Sequence, residues 1–202
     1  MQTCRLSLKY TYQTLKIIKI NREIKLLNRC LKKERRAQEE FYQKYSNKMF
    51  FVCKRYFQDE YLAQECLLKG FLKVYDKLDT FKREGSLEGW IRKIMVRTCL
   101  DELRKTKHFL SLEDFPSGEE LEPMDSGSKE FEEEDLLRAL NVLKPLAKTI
   151  FNLYAIEGYK HKEIGELLQI SEGASKTHLS RAREILQNEL QKTRGYEVEY
   201  LR

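Results

Sequence analysis

The sequence predicts an all-α protein: two small helical domains joined by an acidic flexible linker, the second domain containing a helix-turn-helix. Three observations predict this fold class. Apolar residues recur at spacings of three and four along most of the chain, whereas β-type alternation is nowhere sustained. Residues 111–128 combine prolines, glycines and acids instead, with little helical periodicity. With 202 residues, 41% of them hydrophobic, both domains can bury a core.

The N-terminal part predicts three or four amphipathic helices. Apolar stripes with helical spacing run through residues 41–56, 63–78 and 87–103. Ser86 precedes the last stripe and has a side chain preferred at a helix N-cap, so we expect it to begin that helix.

In the C-terminal part, two short helices joined by a tight turn predict the helix-turn-helix. Ile164 and Leu168 give the first helix an inward face, and the turn follows at residues 169–171. Ser171 is expected to cap the second helix. The small Gly165 lets the two backbones approach closely.

The second helix of this pair is expected to pack one face inward and to leave a polar, basic face outward. The expected inward residues are Ala174, Leu179, Ala182 and Leu186. The expected outward residues are Ser175, Lys176, His178, Arg181 and Arg183. Side chains of this kind read base edges in a DNA major groove, while His161 and Lys162 can hold the phosphate backbone. The alternative is a solvated basic face on a purely structural hairpin.

A basic and aromatic segment at residues 75–107 is the second candidate nucleic-acid surface. Phe81 and Trp90 are interleaved there with many lysines and arginines. Lys93, Arg97 and Arg104 share one helical face, where they can neutralise phosphates, and aromatic rings can hold an unstacked base. For Trp90 the alternative is burial in the core, since it lies on the apolar stripe of its helix.

The net charge of +6 conceals three blocks of charge. Residues 1–110 carry a net +13, residues 111–135 a net −10 and residues 136–202 a net +3. Blocks of this kind are typical of interaction surfaces and solvated linkers, and a basic segment favours a polyanionic partner.

Composition argues against several other classes of protein. No apolar run is long enough to span a bilayer, and the basic N-terminus lacks the apolar core of a secretion signal, so we expect a cytoplasmic protein without membrane insertion. The five cysteines are widely spaced and form no C-x-x-C pair, which predicts reduced thiols, no metal site and no cofactor. They are Cys4, Cys30, Cys53, Cys66 and Cys99.

Two long motifs resemble a known family. FKREGSLEGWIRKI, at residues 81–94, resembles region 2 of an extracytoplasmic-function (ECF) RNA polymerase sigma factor, and GYKHKEIGELLQISEGASKTHLSRAR, at 158–183, resembles region 4. The resemblance covers about residues 24–190, in the order that the family shows.

The resemblance implies a domain organisation and a function. It implies an extension at 1–23, region 2 at 24–107, a linker at 108–130, region 4 at 131–192 and a tail at 193–202. The protein would bind core RNA polymerase, through the clamp helices of the largest subunit and the flap, and direct it to promoters by recognising −10 and −35 elements. An anti-sigma factor is a further implied partner, and no step would be catalysis by this chain.

The resemblance also implies roles for residues. Those implied to bind core polymerase are Glu65, Leu68, Lys69, Phe71 and Tyr75. Those implied to bind the −10 element are Phe81, Lys82, Arg83, Ser86, Trp90, Arg92, Lys93, Arg97 and Arg104. Those implied to bind the −35 element are His161, Lys162, Ser175, Lys176, His178, Leu179, Arg181 and Arg183. The sequence departs from the usual pattern of the family at Leu68, Lys69, Arg97 and Ala174.

Two other classes of function were weighed against this one. A stand-alone helix-turn-helix regulator would bind specific DNA without polymerase. An enzyme such as a nuclease is disfavoured, because no paired carboxylates have a plausible metal spacing and the three histidines belong to separate segments.

Overall fold

The computed structural model describes residues 22–105 and 133–194, and the side chains of 22–105 and 137–189. Within these ranges the secondary structure is helical and contains no strand, which confirms the predicted fold class. The predicted linker, the first 21 residues and the chain beyond 194 lie outside the described residues. None of the described helices is long and apolar enough to cross a membrane.

Four α-helices form the N-terminal module, which we define as residues 22–105. They are α1 (22–31), α2 (Arg35–Lys54), α3 (Glu60–Asp76) and α4 (Leu87–Lys105), with a 3₁₀ turn at Leu78–Thr80. This confirms the prediction of three or four helices.

The apolar stripes found in the sequence form the core of this module. Its innermost side chains are Phe41, Met49, Val74, Ile91 and Met95, each no more than 1% exposed. Stripes of α2, α3 and α4 face one another, and burial of this apolar surface is the main force that holds the helices together.

Side-chain caps fix where α3 and α4 begin. The Asp59 carboxylate accepts hydrogen bonds from the backbone N–H groups of Tyr61 (2.7 Å) and Leu62 (3.1 Å). The Ser86 hydroxyl accepts one from the N–H of Gly89 at 3.4 Å, which confirms its predicted position as the cap of α4.

The C-terminal module comprises residues 133–194. Its helices are α5 (Glu133–Leu140), α6 (Pro145–Phe151), α7 (His161–Leu168) and α8 (Glu172–Arg194), and a π-helical turn at Asn152–Ile156 follows α6. The pair α7–α8 is the predicted helix-turn-helix.

The turn between α7 and α8 depends on local backbone chemistry. Gln169 ends α7 in the left-handed conformation (φ 58°), and the Ser171 hydroxyl accepts from the N–H of Ala174 at 3.0 Å, as predicted for a cap. A Cβ on Gly165 would lie 2.8 Å from the backbone oxygen of Ile170, so only glycine fits this close approach.

The two modules contact each other, which the sequence did not predict. Glu157, 5% exposed in its side chain, pairs with Arg55 at 2.5 Å and faces Arg92 at 3.9 Å. The side-chain amide of Asn152 donates to the carbonyl oxygen of Arg55 at 2.8 Å, and that of Gln58 donates to a carbonyl oxygen of the C-terminal module at 2.9 Å. Apolar side chains of both modules join one continuous core.

Replacing Gly165 by Ala should destabilise the C-terminal module by about 1–3 kcal/mol, because the new methyl group meets a backbone oxygen that cannot move aside alone. Chemical denaturation followed by circular dichroism measures this. Gly173→Ala is the matched control, since a Cβ there meets only the Ser171 hydroxyl at 4.0 Å and should stabilise α8 by up to ~1 kcal/mol. Equal effects of the two substitutions would contradict the close-approach argument.

Candidate nucleic-acid interface

The rotation of α4 determines which of its basic residues face solvent. Ile91 and Met95 are fully buried, so Lys93 and Arg97, which point the other way, are exposed, and Arg92 lies at the flank. The predicted basic face of α4 is therefore present at its centre.

In the loop that leads into α4, exposed polar side chains lie beside a pair of packed aromatic rings. The rings of Phe81 and Trp90 pack at 5.5 Å between centroids, tilted by 50°, and both are half-buried. Trp90 is thus partly buried and partly exposed, which leaves both of its predicted roles open. Lys82, Arg83 and Ser86 are exposed beside this pair.

Arg83 holds an unusual backbone conformation in this loop. Its φ is 60°, in the left-handed region, and its guanidinium donates to the side-chain oxygen of Asn28 at 3.0 Å. This contact ties the loop to α1.

Arg92 and Arg104, two of the predicted −10 contacts, have partners in the C-terminal module. Arg92 faces Glu157, and the Arg104 guanidinium donates to the carbonyl oxygen of Leu167 at the end of α7. Arg104 also lies 3.4 Å from Asp101. These two arginines therefore belong to both the basic face and the contact between the modules.

Fewer residues of α8 face solvent than the sequence predicted. Lys176 is exposed and pairs with Glu172 at 3.1 Å, one helical turn away, while His178 and Arg181 are partly exposed. Burial and the charge of Arg181 lower the pKa of His178, so the imidazole is neutral at neutral pH.

Two predicted −35 contacts on α8 are wrong in orientation. Ser175 is fully buried (0% exposed) and Leu179 is 3% exposed, so neither can reach a base edge. The inward stripe is Ser175, Leu179, Ala182 and Leu186, and Ala174, expected inside, is partly exposed. The predicted stripe thus began one residue too early, because the buried small residue is a serine.

His161 is engaged within its own module. Its ring stacks on Tyr154 at 4.4 Å, and its Nδ1 lies 2.9 Å from the Ser175 hydroxyl. Burial, then the charge of Lys176, lower its pKa. A phosphate contact through Nδ1 is therefore unavailable, whereas Lys162, the next residue, is exposed. Arg183 lies over the other member of this stack, 5.6 Å from the Tyr154 ring centroid.

Three apolar residues on the outward face of α3 are exposed. Tyr61, Leu68 and Leu72 are 74%, 56% and 64% exposed. Leu68 was a predicted polymerase contact, while Tyr61 and Leu72 were missed. The signal was present in the sequence, because residues 61, 68 and 72 share one helical face opposite the core stripe.

Phe71, another predicted polymerase contact, is a core residue. It is 2% exposed and packs on the rings of Tyr42 (4.7 Å) and Tyr75 (6.2 Å). The Tyr75 hydroxyl donates to the carbonyl oxygen of Gln38 at 2.8 Å. The prediction for Phe71 is therefore wrong: it supports α3 from within, and Tyr75 is half-buried beside it.

Lys69, one of the departures from the usual family pattern, forms ion pairs within the N-terminal module. Its ammonium lies 2.8 Å from Glu65 and 3.0 Å from Glu102 on α4, and these contacts, Glu65 first, raise its pKa. The pKa of Glu102 is lowered by Lys105 and then by Lys69. A lysine at this position thus links α3 to α4.

Comparison with known proteins decides the family. The "Sigma-70 region 2" family matches residues 41–109 and "Sigma-70, region 4" matches 133–186. RNA polymerase sigma factor SigV of Bacillus subtilis (strain 168) is 30% identical over 131 residues, which are 64% of this chain and 76% of that protein. The chain belongs to the ECF sigma factors. The ECF RNA polymerase sigma-E factor of Haemophilus influenzae is 24% identical over 82% of this chain and 94% of its own.

Two solved structures are also similar. CnrH in complex with the cytosolic domain of CnrY has 17% identity and a TM-score of 0.46, over 83% of this chain and 96% of that one. RpoE of Bartonella quintana in complex with the anti-sigma factor NepR has 20% identity and a TM-score of 0.47, over 77% and 98%.

This ECF sigma factor is an alternative sigma factor. Its partners are core RNA polymerase and promoter DNA. The surfaces described above are the candidates for those contacts.

Proposed function

We propose that the exposed face of α4 and its preceding loop bind the −10 element, and that the first half of α8 reads the −35 element. The proposal retains region 2 at 24–107, the linker at 108–130 and region 4 at 131–192. The protein acts by binding alone, in the cytoplasm, with an anti-sigma factor as a further partner. The observation that carries the proposal is the pair of exposed basic faces, one on each module.

The −35 contact rests on Lys176. It is the exposed basic residue in the first half of α8, where a recognition helix contacts base edges. Both side chains of its ion pair with Glu172 are about half exposed. Lys176 can therefore leave Glu172 and contact a DNA base at little cost in free energy. Lys162 at the start of α7 is placed to hold a phosphate.

Lys176→Ala should weaken −35-dependent binding by ~1–3 kcal/mol and change the preferred sequence, because a base contact carries sequence information. Lys162→Ala should weaken binding to all promoters alike and reduce the salt dependence of that binding. Transcription reconstituted with core polymerase and a library of −35 variants measures both effects. Lys144→Ala is the control, since Lys144 is an exposed lysine of the same module, at the residue before α6. An unchanged preference in Lys176→Ala contradicts the proposed readout, and no transcript with the wild-type chain overturns the proposal as a whole.

The −10 contact rests on Lys93, Arg97 and the Phe81–Trp90 pair. The two cations are exposed on α4 and can neutralise the phosphates of a strand that passes along the helix. The ring pair forms the floor of the loop beside them, where a base that has left the stack finds an aromatic edge. This arrangement suits an opened strand more than an intact duplex.

We assign core polymerase binding to the strip of Tyr61, Leu68 and Leu72. Exposed apolar residues on one helical face favour an interaction surface, and apolar anchors of this kind contribute much of the energy of an interface. A groove between α2 and α3, lined in part by Tyr42, Phe50 and Leu68, adjoins the strip.

The double substitution Leu68→Lys and Leu72→Lys should weaken core polymerase binding by about 2 kcal/mol or more, because both side chains lose apolar contact area. Binding is measured with purified core enzyme by fluorescence anisotropy. Leu31→Lys is the matched control, since Leu31 is also an exposed leucine of this module (40%) but lies on α1. Equal binding by the double variant and the control would contradict the assignment, provided that thermal unfolding shows both to be folded.

The contact between the modules covers part of the −10 surface. Arg92 and Arg104 each have a partner in the C-terminal module, which restricts the approach of a phosphate to their guanidinium groups. We therefore propose that the modules separate when the protein binds polymerase and promoter. Arg55 and Glu157 are the centre of the contact, since both are largely buried and oppositely charged.

Glu157→Lys should separate the modules, because a third cation would face Arg55 and Arg92; breaking a buried pair typically costs about 3–5 kcal/mol. Small-angle X-ray scattering should show a larger radius of gyration, and binding of a single-stranded −10 oligonucleotide should increase. Glu166→Lys makes the same charge change at an exposed position of α7 and serves as control. If the radius of gyration stays at the wild-type value, this contact does not hold the modules together.

A further inference from the structure

Three cysteines that are far apart in the sequence meet in the core of the N-terminal module. Cys53 comes from α2, Cys66 from α3 and Cys99 from α4, and their sulfur atoms all lie within 4.8 Å of one another. The Sγ atoms of Cys66 and Cys99 are 3.5 Å apart. Each of the three residues is no more than 1% exposed. The wide spacing of these cysteines in the sequence gave no sign that they meet in the fold.

The ligand set of this cluster consists of sulfur alone. Among the described residues, no histidine or carboxylate belongs to the group of potential metal ligands that the three thiols form. A thioether lies nearby, between α3 and α4. The Sδ of Met95 fills the space beside Gly70, which is one helical turn from Cys66. Thiolate and thioether sulfur select soft metal ions.

Geometry, and not the pKa of its thiols, distinguishes this cluster from the buried Cys30. Cys30 is equally buried, but it is not part of the cluster, and burial raises its pKa to about 11. In the cluster, hydrogen bonds from Cys53 and Cys99 lower the pKa of Cys66. The hydrogen bond with Cys66 raises the pKa of Cys53, and burial raises that of Cys99, while the cations Arg55 and Lys69 lie near Cys53 and Cys66. Arg55 keeps a buried Nε without a hydrogen-bond partner among the described residues.

We propose that Cys53, Cys66 and Cys99 bind one Cu(I) ion in a three-coordinate, all-sulfur site. An ion at the centre of the triangle is within reach of all three sulfurs. Binding exchanges thiol protons, which pass to solvent, for the metal, and the oxidation state of copper and of sulfur is unchanged. Structural Zn²⁺ is almost always four-coordinate, and the cluster supplies no fourth ligand.

Copper in this site would join α2, α3 and α4 beneath the strip of Tyr61, Leu68 and Leu72. A ligand that binds only the folded state stabilises it by mass action, so Cu(I) should raise the unfolding temperature of the protein. The site goes beyond initiation itself and does not depend on the proposed promoter contacts.

The test is an anaerobic titration of the reduced full-length chain with Cu(I) in competition with a chromogenic Cu(I) chelator. We expect one Cu(I) per chain to be withheld from the chelator, and X-ray absorption to report three sulfur ligands. Cys66→Ser should lower the affinity by more than the ~10–100-fold that loss of an outer-sphere partner costs. Cys30→Ser and Cys4→Ser are the matched controls and should bind as the wild type does.

Several outcomes overturn the proposal. They are no copper retained by the wild-type chain, two sulfur ligands in place of three, tighter retention of Zn²⁺ than of Cu(I) in a parallel titration, or an equal loss in Cys30→Ser and Cys66→Ser. If the serine variant does not fold, Cys66→Ala replaces it, and the ligand count of the wild-type complex still decides between the outcomes.

Discussion

Packing of one apolar stripe of α4 against α2 and α3 is the constraint on which the N-terminal surfaces depend. Ile91 and Met95 lie at 0% exposure and fix the rotation of the helix about its own axis. Helical geometry then places Lys93 and Arg97 on the far side, where a polyanion can reach them. The inward stripe of α3 faces the same core, so Leu72 is turned outward. A single packing arrangement thus orients a basic surface and an apolar surface on different sides of one small module.

In the C-terminal module, a close approach of two backbone segments, rather than a large apolar core, orients the helices. Gly165 lets the carbonyl oxygen of Ile170 come near α7, and this sets the angle at which α8 leaves the turn. The position of Ser175 then fixes the rotation of α8: its hydroxyl contacts His161, so a polar residue is buried with its partner satisfied. Lys176, the next residue, is exposed as a direct consequence.

Features that depend on neighbours in the sequence were predictable. Helical periodicity identified the stripes, and the caps Ser86 and Ser171 follow from the preference of a hydroxyl for free N–H groups. The errors on α8 and α3 each have a physical cause in contacts with residues distant in the sequence. Ser175 is buried although it is polar, because His161 satisfies it. Phe71 is a core residue although the family motif places it in a binding surface, because its ring completes an aromatic cluster with Tyr42.

Contacts between distant segments could not be read from any local pattern. Glu157 resembles an ordinary surface acid in the sequence, yet the structure buries it between the modules. A buried carboxylate requires cationic partners, and Arg55 and Arg92 supply them. Arg92 also lies on the flank of the proposed −10 surface, so the contact with the C-terminal module restricts the approach of a phosphate to this guanidinium. We therefore expect the contact between the modules and promoter binding to oppose each other.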